Sequence, residues 1–371
     1  MISKLITLFI LPVAALHAVP VFIGTNTGKN SSSKGIYFAD FDSATGNLTQ
    51  PVLAVEYQNP GFLAQHPVKR ILYACGAPST PFADASSSVA AFSIDKNHGL
   101  KFLGDASSHG KGACHLAVDA TGRTVAVANY NDGTFSTIAL GEDGAPGAVV
   151  SVISSKGAGP SLPRQDGPHA HGVYFDQANH HLFVPDLGLD QVFVYPFDAI
   201  HSKLGEPLPS LFTAPGAGPR HLAFSADEKH AYVLNELDNT VLAASYDDGK
   251  FTPLEAVATL PKDFSDKNTT AEIEVHPNGK FVYASNRGHD SIVVFRRDAK
   301  TGALACLQHA PCGGKTPRHF KIDPSGKWLL CAHMNSNTIQ VLALNPETGL
   351  LGAPSHAVTA PSPICLLFTS Y

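Results

Sequence analysis

The chain has 371 residues, a formal net charge of −5 and 15% charged side chains. That balance leaves no basic footprint and argues against nucleic acid as a partner. The sparse charge, with 32 glycines and 27 prolines, suits many short strands joined by tight turns. The length allows a sizeable core, in two average domains or one large all-β domain. Residues 1–18 read as a secretory leader. Lys4 supplies a short positive region, Leu5 to Leu16 an apolar run too short to span a bilayer, and Leu16-His17-Ala18 a tolerable cleavage site. No other run is apolar enough for a membrane helix. The expectation is an exported protein, periplasmic or secreted, monomeric, with one domain over 19–371. Export permits disulfides. Cys75, Cys114, Cys306, Cys312, Cys331 and Cys365 show no CxxC and no metal spacing. Cys306 and Cys312 could pair across a short loop, and the other four read equally well as buried small apolar residues.

After a strand at Val21–Thr25, a Ser-rich loop at 29–34 and a strand at Gly35–Phe41, one template repeats. A Gly- or Pro-led strand leads to a β-rich run at Ile71-Leu72-Tyr73, at Thr124–Val127, at Leu182-Phe183-Val184, at Ala231–Leu234, at Phe281-Val282-Tyr283 and at Trp328-Leu329-Leu330. Pro277-Asn278-Gly279 shows the turn that joins the two strands. The period is roughly 50 residues with about four short strands per unit, as a propeller blade requires. Six units are complete. The tail, Pro363 to Phe368, supplies the inner strand that the N-terminal segment lacks. The predicted fold is therefore all-β: a seven-bladed propeller of four-stranded antiparallel blades, closed by the N- and C-terminal strands so that no sheet edge is left over. The stretch from Ser154 to Gly167 reads as a long loop on one face of the ring.

Departures from the repeat mark the function. One column of the inner strands holds Gly61, Cys114, His171, Arg220, Ala271 and Arg318; the next holds Phe62, His115, Gly172, His221, Glu272 and His319. Neighbouring strand positions point to opposite faces, and buried charge is costly unless paired. Such columns therefore suggest a polar site at the ring axis. At the end of the second strand, Asn129, Asp186, Asn235, Asn286 and His333 form a column that turn capping explains. In the following column, Tyr130, Leu187, Glu236, Arg287 and Met334, the charged pair Glu236 and Arg287 breaks an apolar pattern. His171, Arg220, Glu236 and Arg287 thus come from consecutive blades. The arginines offer forked donors for a carboxylate, phosphate or developing oxyanion, and His171 or Glu236 could take a proton from water. That set suits ester or lactone hydrolysis, and equally a proton transfer beside a carboxylate. There is no Gly-x-Ser-x-Gly elbow and no HExxH. His169 and His171 could face one side of a strand and bind a metal, but no third ligand is evident, so neither metal nor cofactor is expected.

Ala284-Ser285-Asn286-Arg287-Gly288-His289-Asp290-Ser291-Ile292, the Pro-Arg-His runs at Pro219 and Pro317 and the Asn-Pro-Gly-Phe-Leu-Ala run from Asn59 resemble the seven-bladed propeller lactonase family. That family contains bacterial 6-phosphogluconolactonases and fungal carboxy-muconate cyclases. The resemblance covers nearly the whole chain after the leader. It implies a central cleft and metal-free lactone chemistry on a His, two Arg and a Glu, which match His171, Arg220, Arg287 and Glu236. Glu272, Asn286, His289, Arg318 and His319 are the accompanying substrate-binding candidates. A small lactone or anionic sugar is the implied ligand. The leader departs from the cytoplasmic habit of pentose phosphate lactonases, which leaves an unphosphorylated sugar lactone open as substrate. A cycloisomerase of a carboxylated diene or lactone, and a non-catalytic secreted propeller that binds a ligand or protein, remain as alternatives.

Overall fold

Apolar runs punctuated by Gly, Pro and Asn turns become strands throughout the computed structural model, which describes residues 18–369. The expected leader falls outside the described residues except for Ala18, which opens the first strand, Ala18–Thr25. Seven antiparallel sheets follow one another along the chain. The second strands are buried along nearly their whole length, fully so in Ile71–Gly76, Thr124–Asn129 and His230–Asn235. The outermost strands mix exposed with partly buried positions, because only one of their faces meets a neighbouring blade.

Blade one is composite. Its inner strand is the tail, Pro363–Phe368, which pairs antiparallel with Ala18–Thr25. Seven apolar clusters fill the seven gaps between consecutive blades. One of them joins blade seven to blade one through Leu330, Val341, Val21 and Leu366. The ring is thus closed by hydrogen bonds within blade one and by packing across both of its faces. Three fully buried tyrosines tie blades together in the same way: Tyr73, Tyr232 and Tyr283 each donate from Oη to a turn carbonyl of the following blade, at Gly144, Gly302 and Gly349. A buried phenol needs such a partner.

Blade four differs. Its inner strand shrinks to Tyr174–Phe175 plus a single bridge between Ala170 and Asp186. The long loop read from the sequence precedes this shortened strand, and its Arg164 reaches Glu236 of blade five. All six cysteines are free thiols, which corrects the pairing considered for Cys306 and Cys312: the first is exposed and the second buried.

Candidate active site

The two inner-strand columns lie around the axis in two tiers, and a local irregularity of the ladder makes this possible. In blades one, three, five and seven the register shifts by one residue at the first column, at Ile364, Cys114, Arg220 and Arg318. The extra residue is a β-bulge, which re-aims a side chain that regular alternation would turn away. Strict alternation, as expected from the sequence, therefore fails at the positions that matter most.

The first tier opens onto a cleft of about 520 Å³ lined by Gly112, Cys114, Tyr130, Asn131, Arg164, His171, Glu236, Thr269, Arg287 and Arg318. At its floor sits the Glu236 carboxylate, 3% exposed. Three guanidinium groups converge on it. Arg220 Nε lies 3.1 Å and Arg287 Nη2 2.9 Å from Oε2, and Arg164 Nη2 lies 2.6 Å from Oε1. His171 Nε2 is 3.8 Å from Oε2. Burial would push Glu236 upward, but Arg287, Arg220 and Arg164 outweigh it and hold the carboxyl at about 2. Glu236 is therefore a fixed anion and a weak base. His171 is shifted downward by burial and by the positive field of Arg220, so its imidazole is neutral near pH 7 and free to accept a proton.

Arg318 is the exception among the cations. Among the described residues it has no carboxylate partner, and its guanidinium meets the cleft beside Cys114. Burial and the neighbouring Arg220 and Arg287 bring it down to about 9. One carboxylate and four arginines with a neutral His171 leave the cleft strongly positive within a chain of net negative charge.

The second tier plugs the channel beneath. Phe62 packs on His115 at 4.0 Å and on His319 at 5.6 Å, and only about 10 Å³ of space remains there. Arg220 Nη1 donates to His221 Nε2 at 2.9 Å, so the His221 proton lies on Nδ1, which donates to Glu272 Oε1 at 2.9 Å. His319 Nε2 stands 3.3 Å from the other Glu272 oxygen. Arg220 also donates to the Ala271 carbonyl. This file of buried polar groups orients Arg220 from below.

The structure thus brings His171, Glu236, Arg220, Arg287 and Arg318 together at one cleft. Glu272 and His319 lie in the plug under it. Asn286 and His289 do not line it. Asn286 is fully buried and holds the backbone carbonyl and hydroxyl of Thr259 at the end of blade five, so it clips two blades together instead of capping its own turn as its column suggested. His289 bonds Ser291 and packs on Phe264. His169 is likewise engaged, by the Tyr130 carbonyl and Asp166.

Arg164 and Tyr130 line the cleft but were not among the site candidates read from the sequence. Arg164 sits in the long loop, where no repeat exists to expose it as a departure. Tyr130 follows the apolar consensus of its column, yet it stands edge-on to His171 at 5.2 Å, and its hydroxyl accepts from Arg164 at 3.1 Å.

A family described as "Lactonase, 7-bladed beta-propeller" matches residues 20–368. The chain belongs to the seven-bladed β-propeller lactonase family. It is 38% identical over 303 residues to 6-phosphogluconolactonase of Bacillus subtilis, with 81% of this chain and 83% of that one covered. It is 33% identical to 6-phosphogluconolactonase of Formosa agariphila, with coverage of 81% and 85%. The solved periplasmic gluconolactonase of Pseudomonas aeruginosa superposes with a TM-score of 0.88 at 30% identity, covering 95% of this chain and 99% of that one. In this lactonase the long loop borders the cleft, to whose lining it contributes Arg164.

Proposed function

We propose that the protein hydrolyses a sugar lactone, with water attacking the ring carbonyl in the central cleft. The observation that carries this reading is the pairing of a neutral, buried His171 with a surplus of positive charge. Glu236 occupies three arginines, and Arg318 has no carboxylate partner among the described residues. His171 takes a proton from water as the C–O bond forms. The carbonyl oxygen becomes an oxyanion facing the guanidiniums. The ring C–O bond then breaks, and the imidazolium returns its proton to the departing alkoxide. Glu236, near His171, stabilises the imidazolium while it exists. The product is a carboxylate, which the same cations receive.

The relatives act on two versions of this substrate, by name: 6-phosphogluconolactone in two bacteria and a gluconolactone in a periplasm. The expected leader supports export, and so an encounter with unphosphorylated lactone; the positive cleft favours an anionic one. Acid release measured with a pH indicator against 6-phosphogluconolactone and gluconolactone, corrected for spontaneous opening, decides between them. His171→Gln and Arg287→Ala should each lower kcat/KM by about 10²-fold or more. Retention of full rate by both folded variants would sink the assignment, and no activity on any sugar lactone would leave a binding propeller.

A further inference from the structure

The junction between blades six and seven carries a second cluster with the chemistry of a ligand set. At two junctions, between blades two and three and between blades five and six, a polar clip closes the gap. The outer strand of one blade ends at a hydroxyl residue, and the next blade answers with an Asn at the end of its second strand. Asn129 Nδ2 donates to the Ser108 carbonyl at 3.2 Å, and Asn286 Nδ2 to the Thr259 carbonyl at 2.9 Å. Ser108, Thr259 and Cys312 hold equivalent places: each follows the outer strand of its blade and donates its backbone N–H to the tight turn ahead of the third strand, at Ser87, Asn239 and Asp290. At the last of these junctions both partners have changed together. Cys312 replaces the hydroxyl residue and His333 the Asn. Two residues before His333, where Val127, Val184, Val233 and Ala284 stand in other blades, is Cys331. Positions two apart on a strand share a face, so Cys331 and His333 both look toward Cys312.

The three potential ligand atoms lie within 4.8 Å of one another, and all three residues are fully buried. Neither ring nitrogen of His333 has a hydrogen-bond partner. A buried imidazole left unbonded on both sides is costly and calls for an explanation. Gly314 permits the approach, since a Cβ there would meet the His333 ring at 2.4 Å.

We propose that Cys312, Cys331 and His333 form a buried site for one zinc(II) ion that joins blade six to blade seven. Thiolates and imidazole select a soft or borderline ion, and their spacing suits Zn–S bonds of about 2.3 Å and Zn–N bonds of about 2.0 Å. Charge decides among such ions: two thiolates neutralise zinc(II), whereas copper(I) would leave a net negative charge in an apolar gap. The Asp290 carbonyl oxygen, 2.9 Å from Cys312 Sγ, is the candidate fourth ligand. Binding releases the two thiol protons.

Zinc(II) titrated into the reduced, metal-free full-length chain should bind at one equivalent, release two protons and raise the melting temperature. Cobalt(II) in its place should give a thiolate charge-transfer band. The double variant Cys312→Thr/His333→Asn restores the pair found at the junction of blades five and six. It should fold and keep the lactonase rate, lose the band, and bind zinc at least a hundredfold more weakly. The site is refuted if the reduced wild type takes up no stoichiometric zinc or if the double variant binds as well. A copper(I) arm tests the ion: uptake of copper(I) with refusal of zinc(II) overturns the choice. A Cys312–Cys331 disulfide in the isolated protein, with no zinc uptake after its reduction, overturns the site itself.

Discussion

Glu236 governs the cleft at the scale of single residues. Read from the sequence, it is one half of a charged pair with Arg287 or a group that takes a proton from water. In the structure it is the common partner of Arg164, Arg220 and Arg287. Taking it away strands buried guanidiniums, which costs about 3–5 kcal/mol when a buried pair is broken from one side. Glu236→Gln should therefore lower both the thermal melt and the activity; an unchanged melt would show that water, and not the carboxylate, balances these cations. Arg318 should behave in the opposite way. It has no anion to lose among the described residues, so Arg318→Gln should leave the melt equal or higher. Its KM for an anionic lactone should rise about 10-fold, equivalent to about 1.4 kcal/mol of binding. A fall in stability without a change in KM would place Arg318 in the scaffold. The basicity of His171 has a signature of its own. Because its imidazole titrates below the usual range, kcat/KM should hold steady from pH 7.5 down to about pH 6, where an ordinary histidine would already be mostly protonated.

The decisive device among the elements is the composite first blade. Residues 363–368 form its inner strand, and the cluster that contains Leu366 also holds residues of blade seven. Deleting residues 363–371 removes that strand and opens the cores on both sides of blade one. The shortened chain should fail to give a cooperative melt, and a deletion that melts normally would mean that the ring closes elsewhere. The tyrosine ties between blades are a milder test. Tyr283→Phe removes the donor to Gly349 while keeping the ring packed, and should cost about 1 kcal/mol in denaturant unfolding. The tail was recognisable from sequence because it completed a count: six units and a remainder. The bulges were not recognisable. Whether an inner strand keeps strict alternation depends on which carbonyls the second strand presents, and nothing in Gly-Pro-Arg-His declares it.

Acid stability is a property of the whole molecule. His115, His171, His221 and His319 are buried around the axis, and burial with neighbouring cations holds each below its ordinary value, His319 at about 3. Unfolded, the same side chains take up protons near pH 6.5. The unfolded chain therefore binds more protons as pH falls, and stability declines with it, by up to about 1.4 kcal/mol per pH unit for each histidine. Glu236 acts in the same direction further down. Its contribution is complete above about pH 4.5 and is lost as pH falls toward 2. The melting temperature should begin to drop near pH 6.5 and steepen below 4.5. A flat profile down to pH 4.5 would mean that the second tier is open to water and its histidines titrate normally.

The chain by itself determined the architecture and most of the cleft. A repeat of apolar runs and turns dictates blades, because a strand of that pattern can bury its faces only against its own kind, and His171, Arg220, Glu236, Arg287 and Arg318 stood out as charges where the repeat calls for apolar or small side chains. Only the tertiary structure decided that Asn286 clips blade six to Thr259 of blade five, that Glu272 and His319 support Arg220 from beneath, and that Arg164 leans in from a loop with no repeat to depart from. The physical reason is that periodicity reports which face a residue occupies. Hydrogen-bond partners, by contrast, are chosen across sheet junctions by residues dozens of positions away, and those choices fix which charges are spent on the protein and which remain for a ligand.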